Sequence, residues 1–221
     1  VNLFDNALPA VWLWGGNLVT ALLLFVTLRS RPWTWLDSNS RQHAYAGATV
    51  VCMLLWSISA KLGGGPSFHL LGATVLTLMF GPRLAFVATC IALMGVSLAG
   101  GAGWMAYGVN ALLMGAVPIA VSYGIYRWAD RRLPNHFFVY VLVCAFVNGA
   151  FAMTACRLAA LTLYWYAGIP EAGTATSDYL LASVLLAWGE ALTTGMMMTV
   201  FVVYRPGWVM LFDDARYIVG R

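Results

Sequence analysis

The stretch Ser67-Phe68-His69-Leu70-Leu71-Gly72-Ala73 sets one imidazole near the end of a short apolar segment. An ionisable ring beside hydrocarbon is costly without a partner, so within a membrane chain it marks a functional site by default. Neutral imidazole is a common metal ligand and a proton carrier. The same ring could cap or pin a helix end, and the string alone does not choose. His43, beside Arg41 and Gln42, and His136, after Pro134-Asn135, sit at segment ends where polar tips meet water. No two histidines share a helix at ligand spacing, so any metal site must be assembled from distant segments.

Glu190, in Leu186-Ala187-Trp188-Gly189-Glu190-Ala191, falls near the middle of the last apolar segment. A carboxylate there is expensive unless paired, protonated or wet. Arg157 is the only basic residue inside a segment, so an Arg157–Glu190 pair is one reading. The other is that Glu190 orders a helix interface near a substrate path. Asn110 and Asn148 are further intramembrane polar groups, suited to hydrogen bonds across helices. Met196-Met197-Met198 offers soft donors, but consecutive residues point around a helix and cannot chelate one ion together. Cys52, Cys90, Cys144 and Cys156 form no CxxC pair and read as small buried thiols. An acid–base pair of His69 with Glu190 is disfavoured: the segments put His69 near the outer boundary and Glu190 at mid-bilayer, beyond hydrogen-bond reach.

The elements that must hold these groups are membrane spans. Of 221 residues, 62% are hydrophobic and 9% charged, where a soluble domain has about 25% charged. The expectation is an all-α polytopic bundle, one integral membrane domain over residues 1–221, embedded in a cytoplasmic (inner) membrane. The first apolar run is too long for a cleavable signal and lacks basic residues before it. A net charge of +4, scattered over loops, does not suggest nucleic acid. With no Walker A string and no dinucleotide fingerprint, uphill transport would need a partner or an ion gradient.

Seven segments are legible, at about residues 10–28, 44–60, 68–80, 84–98, 105–126, 137–167 and 179–204. The third is too short to cross alone and stops at Gly81-Pro82; the sixth reads as broken near Asn148-Gly149. With the N-terminus outside, Arg29, Arg31, Arg41, Arg83, Arg127, Arg131, Arg132, Arg205, Arg216 and Arg221 are cytoplasmic and Lys61 alone is outer. That bias fixes seven spans with N out and C in. Residues 1–8, His69, residues 100–104 and the Glu171–Asp178 loop then share the outer side. Gly63-Gly64-Gly65-Pro66 is a flexible entry into the short segment, and such half-helices often build ion or substrate sites. Small residues at Gly72, Ala73, Ala92, Gly95, Ala99, Gly108, Gly115 and Ala116 suit a tight bundle or a docking face for a second membrane protein.

Three stretches resemble the substrate-binding membrane subunit (S component) of cobalt/nickel energy-coupling-factor transporters, the CbiM/NikM family. Asp5-Asn6-Ala7-Leu8-Pro9 before Trp12 is similar to the family opening. His69-Leu70-Leu71-Gly72-Ala73 with Gly81-Pro82 is similar to its Gly-His-Leu segment. Gly108-Val109-Asn110-Ala111-Leu112-Leu113-Met114-Gly115 is similar to its Gly-x-Asn-x-x-Asn-Met-Gly. Gly189-Glu190-Ala191-Leu192 and Tyr204-Arg205-Pro206 match more loosely. The resemblance implies a seven-helix S-component-like fold that captures a divalent metal, nickel or cobalt, at its outer face. It also implies a membrane coupling subunit and ATPase subunits as partners, and no tightly bound cofactor. The implied ligands are the amine of the first residue, the backbone nitrogen and imidazole of the second, and the histidine that is His69 here. Nitrogen donors in a plane suit Ni(II) and Co(II).

The departures are specific. Position 2 is Asn2, so one imidazole of the implied set is missing; the second asparagine of the middle motif is Leu113; a histidine often found before the family glutamate falls at about Ser183. One possibility is a branch using the Val1 amine, backbone nitrogens including that of Asn2, His69 and an outer carboxylate such as Asp5. Another has changed substrate, or keeps the fold as a membrane accessory or assembly protein.

Overall fold

The computed structural model describes residues 2–58, 60–61, 67–168, 176–213 and 217. Val1, the glycines at 63–65, Glu171, Arg216 and Arg221 lie outside them, as do the expectations placed on those residues. Six long helices run in order: α1 (Ala10–Arg29), α2 (Asn39–Ser57), α3 (Ala73–Leu98), α4 (Tyr107–Arg132), α5 (Phe137–Tyr166) and α6 (Thr176–Tyr204). The only strands among the described residues are β1 (Ala60–Lys61) and β2 (Ser67–Phe68), an antiparallel pair with Ala60 opposite Phe68.

Five of these helices, all but α2, are long and apolar enough to cross a membrane. The sequence suggests seven segments. One difference lies in α2, whose first turns carry Ser40, Arg41, Gln42 and His43 and dilute its hydropathy. The other lies in α3, which takes up the third and fourth segments in one hydrogen-bonded element.

α3 is not straight. Gly81 has φ 74° and ψ 164°, a region that is nearly glycine's alone, and Pro82 follows. Gly72 abuts Leu55 while Gly95 abuts Met53, two residues away on α2. A straight helix would hold those glycines about 34 Å apart at 1.5 Å per residue. The chain therefore folds back at Gly81 into two arms. The turn lies towards the start of α2, where the Tyr45 hydroxyl donates to the Leu84 carbonyl at 3.0 Å.

The first arm of α3 is almost wholly buried and the second mostly so, and α3 touches α1, α2, α4, α5 and α6. Around that core, small residues bring backbones together, as membrane helices require. Gly16 packs on Val109, Gly108 on the Asn17 backbone and Gly149 on Glu190 and Thr194. Thr20 donates to the Gly108 carbonyl at 2.8 Å, and Asn17 accepts from the Gly108 N–H at 2.8 Å. α1 buries only Leu13, Gly16 and Thr20 and leaves an apolar face outward. α4 and α5 each carry a π-helical stretch, Leu112–Ala116 and Tyr140–Val147. α5 is continuous through Asn148-Gly149, where the sequence suggests a break. The irregular stretch ends just before Asn148, whose amide donates to the Ser122 carbonyl on α4 and the Cys144 carbonyl on its own helix, both at 2.9 Å.

The fold-back leaves carbonyls bare. Leu78 would bond the N–H of residue 82, a proline, and the break removes the next partner. The segment after α6 supplies both: Met210 N–H donates to Met79 O at 2.8 Å, and Leu211 N–H to Leu78 O at 3.2 Å. Phe212 and Tyr217 then pack on buried Tyr140, ring centroids 4.9 and 5.2 Å away.

Candidate metal-binding site

The β1–β2 pair delivers His69 to the end of the bundle opposite the Gly81 turn. Its ring is 4% exposed and lies 5.8 Å from the ring of fully buried Trp56. Nδ1 sits 2.9 Å from the Leu70 carbonyl, which can only accept. That bond assigns the proton to Nδ1, so Nε2 carries the ring's lone pair. Burial, foremost, lowers the His69 pKa well below the ordinary imidazole value; the positive charge of Arg157 acts the same way and the bond to Leu70 opposes it. The ring is thus held neutral, the form that ligates metal.

The backbone after His69 is clamped from two helices. Trp56 Nε1–H on α2 donates to the Leu71 carbonyl at 2.9 Å. Glu190 on α6 accepts the Leu71 and Gly72 N–H groups, one on each carboxylate oxygen, both at 2.8 Å. Gly72 has φ 65°, a left-handed conformation that lets the chain turn into α3.

The chain's first residues dock beside this loop. Asn2 and Leu3 are buried. Leu3 N–H donates to Asn110 Oδ1 at 2.9 Å and Asn110 Nδ2 donates to Leu3 O at 3.0 Å, so one side chain pairs with the backbone as a neighbouring strand would. Gly103 N–H donates to the same Leu3 carbonyl at 3.0 Å. The Asn2 amide makes a long bond, 3.5 Å, to the carbonyl of Trp56, the residue whose ring faces His69.

Some sequence expectations need revision, while His136 and the methionine run sit as expected. Glu190 bonds the loop backbone rather than Arg157, because two adjacent N–H groups at the start of α3 have no helical acceptor and a carboxylate has two oxygens to give. Glu190 and the His69 segment are not at separate depths: the loop reaches the middle of α6, about 21 Å along that helix from Thr176 at 1.5 Å per residue. Asn110 bonds the entering chain, not a facing helix. Asp5 has a structural task, accepting the Met105 and Ala106 N–H groups at 2.7 and 3.0 Å ahead of α4. His136 caps α5, its Nδ1 accepting from Phe138 N–H at 3.1 Å. Met196 is exposed and Met198 buried, so the methionine run does not converge. Trp56 was not singled out from sequence; nothing in its spacing to His69 marks it.

Among the described residues no three His, Cys, Asp or Glu side chains converge on one point. A metal here would be held by His69 and by nitrogens of the chain's start. A separate apolar cavity of about 340 Å³ lies between α2, the first arm of α3 and α6, with Leu70, Gly72 and Glu190 among its lining and His43 and Trp208 as well.

The chain resembles several known proteins. The model of the family described as CbiM, the cobalt uptake substrate-specific transmembrane region, matches residues 2–208. A probable fused nickel transport protein, LarMN of Lactiplantibacillus plantarum, is 33% identical over 85 residues, 38% of this chain and 26% of that protein. The match thus spans about a quarter of that relative's length. The crystal structure of a truncated transition metal transporter superposes with a TM-score of 0.78 at 21% identity, covering 92% of this chain and 98% of the other. A second transition metal transporter structure gives 0.74 at 20% identity, covering 92% and 93%. At such identities the likeness speaks for the fold.

Proposed function

The chain belongs to the CbiM family of cobalt-uptake substrate-specific transmembrane regions, and from that membership we propose that it captures Ni(II) or Co(II) at the outer face of the cytoplasmic membrane. It is a transporter component and not an enzyme. His69 Nε2 is one ligand, and the nitrogens of Val1 and Asn2 supply the others. Asp5 shapes the neighbouring turn through Oδ1. The observation that carries this reading is the pairing of a buried, neutral imidazole with a chain start pinned beside it by Asn110. A cation entering a site of low dielectric needs donors already in place, and the loop after His69 and the backbone at Leu3 are both held by side chains.

The two arms of α3 count as separate passes, with α2 as another, which makes seven passes with N outside and C cytoplasmic, in line with the loop arginines. Membership of the family supports a membrane coupling subunit and ATPase subunits as the drivers of transport. Asn2 favours one variation: without a second imidazole the site takes a metal already bound to a small chelator.

Titration of the purified protein with Ni(II) and Co(II), alongside His69→Ala, tests the reading. The expected outcome is binding by the wild type and a loss of about 100-fold or more in the variant, beyond the usual effect of groups one step removed from a metal. Equal, negligible binding of free and chelated metal by both proteins overturns it.

A further inference from the structure

We infer that Glu190 is a positioning residue for metal capture: from mid-helix on α6 it holds the backbone that carries His69 and so sets the aim of the ligand nitrogen. The inference rests on the metal-capture reading and goes beyond it by naming the group that fixes the site's geometry.

Glu190 is the only buried carboxylate among the described residues, 2% exposed. Both of its oxygens are used, one each on the N–H groups of Leu71 and Gly72. Those amides sit just ahead of the first turn of α3, where donors lack helical acceptors and the helix dipole favours negative charge. Leu71 is also gripped from the other side, its carbonyl accepting from Trp56 Nε1–H. The Leu71–Gly72 peptide is therefore fixed at its N–H by Glu190 on α6 and at its carbonyl by Trp56 on α2. The His69 ring is tied to that same stretch through Leu70 O. A shift of the Leu71 peptide must turn the imidazole.

A simple cap would need only one acceptor. Glutamine cannot replace glutamate here: it has one carbonyl oxygen, and its amide would face an N–H. Aspartate keeps the charge but is one methylene short of two bonds made at 2.8 Å.

The test uses the full chain in detergent, with Ni(II) as probe, comparing wild type, Glu190→Gln and Trp56→Phe. Each is read by equilibrium titration, by the visible absorption of bound Ni(II) and by thermal midpoint. Groups that orient a ligand typically account for 10- to 100-fold in metal affinity. The expected result is a loss of about that size in Glu190→Gln, and a smaller one in Trp56→Phe, with a shifted Ni(II) absorption band in both. A purely structural role lowers the midpoint without moving the band. Folded variants with wild-type affinity and spectrum overturn the inference. Should Glu190→Gln not fold, Trp56→Phe and wild-type amide exchange decide: slow exchange at Leu71 and Gly72 supports the clamp, and exchange as fast as in a free loop overturns it. Wild type that binds no Ni(II), free or chelated, overturns the metal-capture reading and this inference together, an outcome distinct from binding that ignores Glu190.

Discussion

At the His69 end of the bundle irregular backbone is held by side chains; at the Gly81 end the two carbonyls bared by the break are met by other backbone, with one side chain, Tyr45, on the Leu84 carbonyl. The loop after His69 and the entering chain owe their places to Glu190, Trp56, Asn110 and Asp5, each bonding main-chain groups far away in sequence. The fold-back at Gly81 is closed by the main chain of Met210 and Leu211 and sealed by the rings of Tyr140, Phe212 and Tyr217. Polar side chains at buried positions are costly to place and useful where a ligand must meet fixed donors. Backbone bonds and aromatic packing keep a turn closed without presenting anything to a ligand. On the proposed reading, one end binds and the other holds.

Substitutions can break this contrast. The largest effect is expected from Asn110→Ala, which removes two of the three bonds at Leu3, leaving its N–H bare and its carbonyl on Gly103 alone. Stability should fall by about 2–4 kcal/mol, the cost of two hydrogen bonds and of leaving buried partners bare. Ni(II) affinity should fall with it, and limited proteolysis should cut near the N-terminus. Intact affinity in a folded Asn110→Ala protein would mean that the chain start plays no part in binding.

Gly81→Ala probes the opposite end. A side chain at φ 74°, ψ 164° costs about 1–3 kcal/mol, and it would also meet the Met210 sulfur. The thermal midpoint should drop while Ni(II) affinity per folded molecule stays unchanged. A matching loss of affinity would erase the division between the two ends.

A pH series separates them again. The folded His69 pKa lies below the ordinary value, about 6.5 in an unfolded chain. Below that pH the unfolded state binds a proton that the folded state refuses, so stability falls as pH falls. The slope approaches about 1.4 kcal/mol per pH unit between the unfolded and folded pKa values. Above about 6.5 this group contributes no slope. Thermal midpoints of metal-free wild type and His69→Gln from pH 7.5 to 5.5 should diverge only in the acid half; parallel curves would place His69 in water. The smallest effect should come from Tyr217→Phe. It removes a 3.2 Å bond to Asp130 and keeps the ring stack, for about 1 kcal/mol or less and no change in metal binding.

Much of the helical layout was legible because bilayer spans announce themselves by length and apolarity. α1, α4, α5 and α6 fall close to the segments read from composition. The fold-back was partly legible, since Gly81-Pro82 marks a stop, but not that hydrogen bonding would run on past it and merge two segments. His69 stood out as an ionisable group among apolar ones. Its supports did not. Glu190 was visible as an anomaly, yet its partners are main-chain N–H groups of Leu71 and Gly72, and no residue type advertises a bare amide. Straight spans also set Glu190 far below His69, and only a loop that dips into the bundle removes that distance. Asn110 was read as a bridge between helices because asparagine in a bundle usually is; the entering chain took that role instead.

The most direct measurement is anomalous diffraction from crystals of the full chain grown with Ni(II). The expected result is one strong peak within bonding distance of His69 Nε2, flanked by nitrogens of the first two residues. A peak elsewhere, or none beside that ring while nickel is bound in solution, contradicts the proposed capture site.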